Sequence, residues 1–176
     1  ELIDPKLKKS GWGIIENSKV LREFPITAGR IQTGQRRAKK LIADYVLVYK
    51  GIKLAVIEAK KVGLEVGEGV AQAKQYADKM QLSTAYSTNG KEIYAICMET
   101  GNEELISAFP TPEELWHKTY PRKLGAELVE EWRDKFSTIP FESKSGTWQL
   151  RYYQEIAIKN TLEAIAENKQ KILLTL

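Results

Sequence analysis

Cysteine and histidine are almost absent from this chain, which has one of each, Cys97 and His117. One cysteine cannot form an intrachain disulfide, and the two residues together are too few for a zinc cluster. The sequence also lacks an apolar run long enough to span a bilayer, and its first residues do not resemble a signal peptide. These absences exclude disulfide-stapled, zinc-finger and membrane-spanning classes, and they favour a cytoplasmic protein.

Apolar residues make up 43% of the 176 residues, which is enough for one good-sized domain, or one domain and part of another. The net charge of +4 is unevenly distributed. Residues 1–62 contain 14 Lys or Arg against 6 Asp or Glu, whereas the remainder contains 13 against 17. A basic first third suggests a polyanionic partner, although a run of charge is more often a solvated face.

The hydrophobic pattern predicts an α/β fold in which a central mixed sheet is flanked by helices. It predicts a helix over 4–9, a strand over 20–26, a hairpin around Gly51 from "IADYVLVYK" and "KLAVIEAKK", and a helix within "VGEGVAQAKQYADKMQ". Further strands are predicted in "STAYSTN" and "EIYAICM", and further helices in "FPTPEELW", where Thr111 and Glu114 have capping-box spacing, and in "GAELVEEWRDKF".

One acid-x-lysine pattern stands out because of the sequence before it. The chain contains four such matches, and three of them lie in segments that are polar or predicted to be helical. Only Glu58 and Lys60 follow an apolar strand, and strand alternation places both on the same face as Leu54 and Val56. Burial of such charges costs several kcal/mol unless they are paired, so this pair is a candidate for chemistry.

The hairpin brings in a second acid. If Lys50, Gly51 and Ile52 form the loop, Tyr49 pairs with Lys53 and Asp44 lies opposite Glu58 on one face. A two-residue loop would instead split the two acids between the faces of the sheet.

Two carboxylates and a lysine on a half-buried strand suit Mg²⁺-dependent hydrolysis of a phosphodiester. Carboxylate oxygens are ligands that Mg²⁺ takes together with water and phosphate oxygens, and a lysine can orient water or neutralise an oxyanion. The alternative is an exposed cross-strand pair with Asp44 beginning the hairpin, and spacing alone leaves both interpretations open.

Asp44, then "VIEAK" with Glu58 and Lys60, then Gln72 and Tyr76 in "QAKQY", resemble the PD-(D/E)xK nuclease domain of type I restriction enzyme R subunits. Members of that family have a Gln-x-x-x-Tyr motif after the catalytic lysine, and two residues at this spacing share a helix face. The resemblance implies that Asp44, Glu58, Lys60, Gln72 and Tyr76 are catalytic and that Asp44 and Glu58 bind Mg²⁺. The Pro of the motif is not found beside Asp44, where the sequence reads "IADY".

The C-terminal segment carries a second resemblance. "LRYYQEIAI" is similar to the adenine-recognition segment of superfamily 2 helicase-like motors, and "KILLTL" to the strand before their phosphate-binding loop. This implies ATP binding by Gln154 and Arg151 in a RecA-like motor that is incomplete in this sequence. The predicted organisation is a nuclease domain over 1–125, a helical linker over 126–148 and the start of the motor over 149–176.

The resemblance implies an ATP-driven endonuclease that cuts double-stranded DNA together with methyltransferase and specificity subunits. Because they precede the Asp44 strand, five basic residues are expected to contact DNA phosphates: Arg30, Arg36, Arg37, Lys39 and Lys40. Two alternatives stay open, namely a catalytically silent DNA-binding or subunit-docking module and a standalone repair exonuclease of the same fold.

Overall fold

The computed structural model describes residues 2–27, 40–121, 127–137 and 151–174. Six strands form one sheet in sequence order: β1 (Ser18–Thr27), β2 (Leu41–Tyr49), β3 (Ile52–Ala59), β4 (Thr84–Thr88), β5 (Ile93–Cys97) and β6 (Glu103–Ile106).

 The described residues also form five helices: α1 (Ile3–Lys9), α2 (Val70–Met80), α3 (Pro112–Thr119), α4 (Glu127–Ser137) and α5 (Tyr152–Ala166). The predicted mixed sheet with flanking helices is therefore confirmed.

The sheet is antiparallel except between β3 and β4, which run parallel. A parallel pair requires a crossover connection, and here a 3₁₀ turn (Val66–Gly69) and α2 supply it. One face of the sheet packs beneath α2 through Val46, Val56 and Ala85, and the other packs against α1 and α3 through Leu47, Ala55 and Ile57. The crossover helix thus covers the end of β3.

The hairpin has the shorter of the two turns that the sequence left open. Tyr49 pairs with Ile52, so that the turn consists of Lys50 and Gly51 alone. Both have positive φ, 48° and 75°, as a type I′ turn requires. The sequence pattern left the loop length open because it did not reveal that Lys50 adopts the left-handed conformation.

A β-bulge then restores the register that the shorter turn would have lost. Val48 pairs with Lys53, but Leu47 pairs with Ala55, so Leu54 is an extra residue on β3. From there Tyr45 pairs with Ile57, and the next step along the same register sets Asp44 opposite Glu58. The bulge also moves Leu54 into the core on the α1 side, away from Val56, so the predicted shared face of Leu54 and Val56 was wrong.

Pro25 lies within β1 rather than at its end, at a register irregularity with β2. An edge strand tolerates a proline because one side of it makes no ladder hydrogen bonds.

At α3 the predicted capping box is present: Glu114 N donates to Thr111 Oγ1 at 3.2 Å, and Thr111 N donates to Glu114 Oε2 at 2.8 Å. The fourth antiparallel pairing, which adds β6, was not predicted because β6 is short and mostly exposed.

The chain divides into two compact units, Glu1–Tyr120 and Pro121–Leu176. In the second unit, an ion pair links α4 to α5: Arg133 Nη2 donates to Glu163 Oε2 at 2.7 Å.

Residues 171–174 are irregular and exposed, with Leu173 88% exposed, so the buried strand predicted in "KILLTL" is absent from its described part. A strand needs a hydrogen-bonded neighbour, and the described residues supply none there. The described helices include none long and apolar enough to cross a membrane.

Trp12, in the segment after α1, packs into the core of the first unit. Trp12 is fully buried, and its Nε1 donates to Pro110 O at 2.8 Å. We expect Trp12→Ala to lower the free energy of unfolding by about 3–5 kcal/mol, since it leaves a large cavity. Ile14→Ala, at a 68% exposed site in the same segment, should change it by less than about 0.5 kcal/mol. Urea unfolding followed by far-UV circular dichroism compares them, and equal losses would contradict the packing described.

Candidate active site

The site is built at the end of β3, where the apolar strand ends in a buried acid. Glu58 is only 3% exposed, and it follows the fully buried Val56 and Ile57. Lys60 lies just after the last residue of β3, and its Nζ donates to Glu58 Oε1 at 2.8 Å. The acid and the base that follow the apolar strand are therefore paired, as burial of a charge requires.

Asp44 approaches the same place from β2. Its Oδ2 accepts a hydrogen bond of 2.7 Å from the backbone N–H of Ala59, the residue after Glu58. This contact joins the two strands at the level where the bulged register sets the two acids opposite one another. The structure therefore brings Asp44, Glu58 and Lys60 together.

The second carboxylate oxygen of Glu58, Oε2, is buried and has no hydrogen-bond partner among the described residues. Burial raises the pKa of Glu58, the hydrogen bond from Lys60 opposes this, and the nearby Asp44 carboxylate raises the pKa further. A buried, unpartnered carboxylate oxygen next to a second acid is a site at which a positive ligand would be stabilised.

Helix α2 contributes two more side chains. Lys60 Nζ also donates to Gln72 Oε1 at 3.1 Å, and Gln72 Nε2 donates to Tyr76 Oη at 2.6 Å. Gln72 and Tyr76 are one turn apart on the face of α2 that packs on the sheet, and the ring of Tyr76 is buried there. The result is a continuous chain of hydrogen bonds from Tyr76 through Gln72 and Lys60 to Glu58.

Two residues that sequence reasoning missed also border the site, Gly69 and Ser87. Gly69 ends the 3₁₀ turn, and a Cβ built on it would lie 3.2 Å from both Glu58 Cγ and Lys60 Cε. Ser87 pairs with Glu58 in the parallel ladder, is fully buried, and donates from Oγ to Val66 O at 2.6 Å. The only sequence signal was the glycine-rich "VGEG", since the position of Ser87 follows from strand pairing.

The other predicted site residues are not brought to this place by the described contacts. Arg30, Arg36, Arg37 and Lys39 lie outside the described residues, and Lys40 is exposed just before β2. Arg151 and Gln154 belong to the second unit, where Arg151 N donates to Gln154 Oε1 at 3.0 Å at the start of α5. Arg151 Nη1 also donates to Tyr153 Oη at 3.1 Å.

The residues present fit a magnesium ion. Mg²⁺ keeps several waters and needs only one or two protein carboxylates, which Asp44 and Glu58 can supply, and Glu58 Oε2 has an unused lone pair. A softer metal with three or more protein ligands fits less well. In the described ranges, no three His, Cys, Asp or Glu residues are grouped so that they could hold an ion.

Comparison with known proteins assigns the chain to a family. Residues 18–107, which include the whole site, match the model described as type I restriction enzyme R protein N terminus. The chain belongs to this family. It is 31% identical over 98% of its length to the type I restriction enzyme EcoAI endonuclease subunit of Escherichia coli, and 27% identical over 99% to the EcoKI endonuclease subunit of E. coli strain K12.

A solved structure of the family has the same fold. It is described as a fragment of an HsdR subunit of a type I restriction enzyme from Vibrio vulnificus YJ016, with a TM-score of 0.77, 34% identity and 98% of this chain covered. The chain spans 22% and 19% of the two E. coli subunits and 32% of the Vibrio fragment. The similarity therefore shows that this chain corresponds to the N-terminal part of an R subunit.

Because burial destabilises the ionised form of Glu58, the chain should become more stable when that charge is removed. We expect Glu58→Gln, in the presence of a chelator at neutral pH, to raise the free energy of unfolding, since the net effect of the surroundings opposes ionisation of Glu58. The pKa of Glu58 is raised in the folded protein, so the ionised side chain opposes folding above that pKa. The gain from Gln should then shrink as pH falls through the folded pKa towards the unfolded one.

Urea unfolding between pH 4 and 8 measures this difference. Glu68→Gln removes an exposed acid from the neighbouring 3₁₀ turn and should show no comparable gain. A gain for Glu58→Gln that grows as pH falls would have the wrong sign and would contradict the burial argument.

Proposed function

We propose that residues 1–125 form a Mg²⁺-dependent endonuclease domain of the PD-(D/E)xK type, which hydrolyses phosphodiester bonds of double-stranded DNA within a type I restriction enzyme R subunit. The observation that carries the proposal is the unpartnered, buried Oε2 of Glu58, beside Asp44 and held against Lys60. In a purely structural ion pair, buried carboxylate oxygens usually have hydrogen-bond partners.

In this proposal Asp44 and Glu58 would hold the ion. When bound, Mg²⁺ would offset the negative charge of the scissile phosphate and lower the pKa of the attacking water. The hydrogen bond from Ala59 N holds Asp44 directly beside Glu58. The mutual repulsion of the two carboxylates and the burial of Glu58 would favour a cation between them.

Lys60 is the residue of this chain that brings a positive charge to the site. Its ammonium is fixed by two acceptors, Glu58 Oε1 and Gln72 Oε1, which leaves capacity for one more among its three donors. That remaining donor would orient the attacking water or stabilise the charge that develops on the phosphate oxygens.

Gln72 and Tyr76 act on Lys60 rather than on the phosphate. Tyr76 Oη accepts from Gln72 Nε2, which fixes the orientation of the amide so that its Oε1 faces Lys60. The Gln-x-x-x-Tyr motif is therefore a support that holds the lysine, and the packed ring of Tyr76 gives it rigidity.

The wider assignment extends this to the complete subunit. Residues 149–176 would begin the ATP-driven helicase-like motor, with Gln154 and Arg151 contacting adenine, and 126–148 would be the linker. Methyltransferase and specificity subunits would be the partners. Phosphate contacts would come from Arg30, Arg36, Arg37, Lys39 and Lys40, and would make binding sensitive to salt.

The central test uses the full-length R subunit assembled with its partners. Asp44→Ala, Glu58→Ala and Lys60→Ala should each reduce DNA cleavage by at least about 10³-fold while ATP hydrolysis stays within about twofold, because only the nuclease chemistry is removed. Lys61→Ala is the matched control, since Lys61 is the exposed neighbour of Lys60. Cleavage retained in all three variants would reject the assignment.

The same preparation separates the alternatives. A silent DNA-binding or docking module would neither cleave DNA nor show Mg²⁺ binding that is lost in Asp44→Ala when followed by calorimetry. A standalone exonuclease would degrade linear DNA from its ends without the partner subunits and would spare a circular substrate.

If Gln72 and Tyr76 position Lys60, changing them should slow cleavage without weakening DNA binding. Gln72→Ala should lower the single-turnover cleavage rate by about 10–100-fold, and Tyr76→Phe by about tenfold, since the packed ring remains and only the hydroxyl is lost. DNA affinity should be unchanged in both. Gln75→Ala, at an exposed position on the same helix, should cleave at the rate of the unaltered protein. If Gln72→Ala weakened DNA binding without slowing cleavage, Gln72 would be a DNA contact instead.

A further inference from the structure

The backbone of Gly69 lies close against the side chains of the candidate active site. A Cβ built at this position would overlap Ser87 Oγ and would lie 3.2 Å from Glu58 Cγ and from Lys60 Cε. Three side chains around the end of β3 and β4 therefore occupy the space that any other residue would need.

The backbone conformation does not explain this glycine. Gly69 has φ −87° and ψ −11°, a conformation that every L-residue adopts without strain. The nearby Gly67 lies in the same 3₁₀ turn, is exposed, and has no atom within 4 Å of a Cβ placed on it. The requirement at position 69 is thus for space, and it is confined to the residue that faces Glu58 and Lys60.

We propose that Gly69 is a positioning residue for the nuclease, because the missing side chain lets the start of α2 lie directly against the Lys60 and Glu58 side chains. This inference rests on the proposed function. Gly69 comes three residues before Gln72, in the turn that leads into α2. A methyl group there would displace the Lys60 stem and also move the first turn of α2 away from β3, which would separate Lys60 from Gln72 Oε1.

Ser87 allows the effect on the site to be separated from the effect on folding. The most severe overlap of an added Cβ is with Ser87 Oγ, and the Ser87→Ala change removes that atom. The contacts with Glu58 Cγ and Lys60 Cε are not altered by this change. Stability should therefore be coupled between positions 69 and 87, whereas the cleavage defect caused by Gly69→Ala should persist in both backgrounds.

The experiment is a double-variant cycle in the full-length subunit assembled with its partners, using Gly69→Ala, Ser87→Ala, both together, and Gly67→Ala as the matched control. The measurements are Tm, ATP hydrolysis, DNA affinity, and the single-turnover cleavage rate at saturating Mg²⁺. We expect Gly69→Ala to slow cleavage at least tenfold, with DNA affinity and ATP hydrolysis within about twofold, and Gly67→Ala to behave as the unaltered protein. In the Ser87→Ala background, Gly69→Ala should lower Tm less but slow cleavage as much.

Three results would overturn the inference. They are cleavage by Gly69→Ala within twofold of the unaltered protein, an equal loss in Gly67→Ala, or recovery of cleavage in step with Tm in the double variant. The last would show that Gly69 serves folding alone. Lys60→Ala distinguishes this from failure of the nuclease assignment, because loss of cleavage in Lys60→Ala with full cleavage in Gly69→Ala rejects only the role of Gly69.

Discussion

A carboxylate buried at the end of an apolar strand is the interaction on which the site depends. Glu58 could not remain ionised there without compensation, and the surrounding residues are arranged to supply part of it. Lys60 binds one of its oxygens, while the second oxygen stays without a partner among the described residues. The described residues therefore compensate the charge only in part, and the proposed magnesium ion would supply the rest.

The topology of the sheet explains why these side chains meet. β3 has an antiparallel neighbour on one side and a parallel one on the other, so it receives Asp44 from β2 and lies beside Ser87 of β4. The parallel pairing also requires a crossover, and the crossover helix places Gln72 and Tyr76 above the same strand end. A single short region of chain therefore contributes every residue of the hydrogen-bonded chain.

Much of the fold and the core of the site could be predicted from residues. The helices, the main strands and the capping box follow local patterns, and Glu58 and Lys60 were identified because charges rarely end an apolar run. Asp44 lies opposite Glu58 even with the two-residue turn, because the bulge at Leu54 compensates for the residue that the shorter turn lacks. Gly69 and Ser87 could not be identified in this way, since their roles come from contacts between elements that are distant in sequence.

The bulge at Leu54 has a consequence for how proteins of this type can change. Strand register takes only whole-residue steps, so the two acids either share a face or are separated by the thickness of the sheet. Because Leu54 is the unpaired residue, a chain without it would keep Leu47 opposite Ala55 and Asp44 opposite Glu58. A chain that kept Leu54 but paired it with Leu47 would instead set Asp44 opposite Ile57, so a slip of one residue in the hairpin, rather than the loss of a residue, is the change that would separate the two acids.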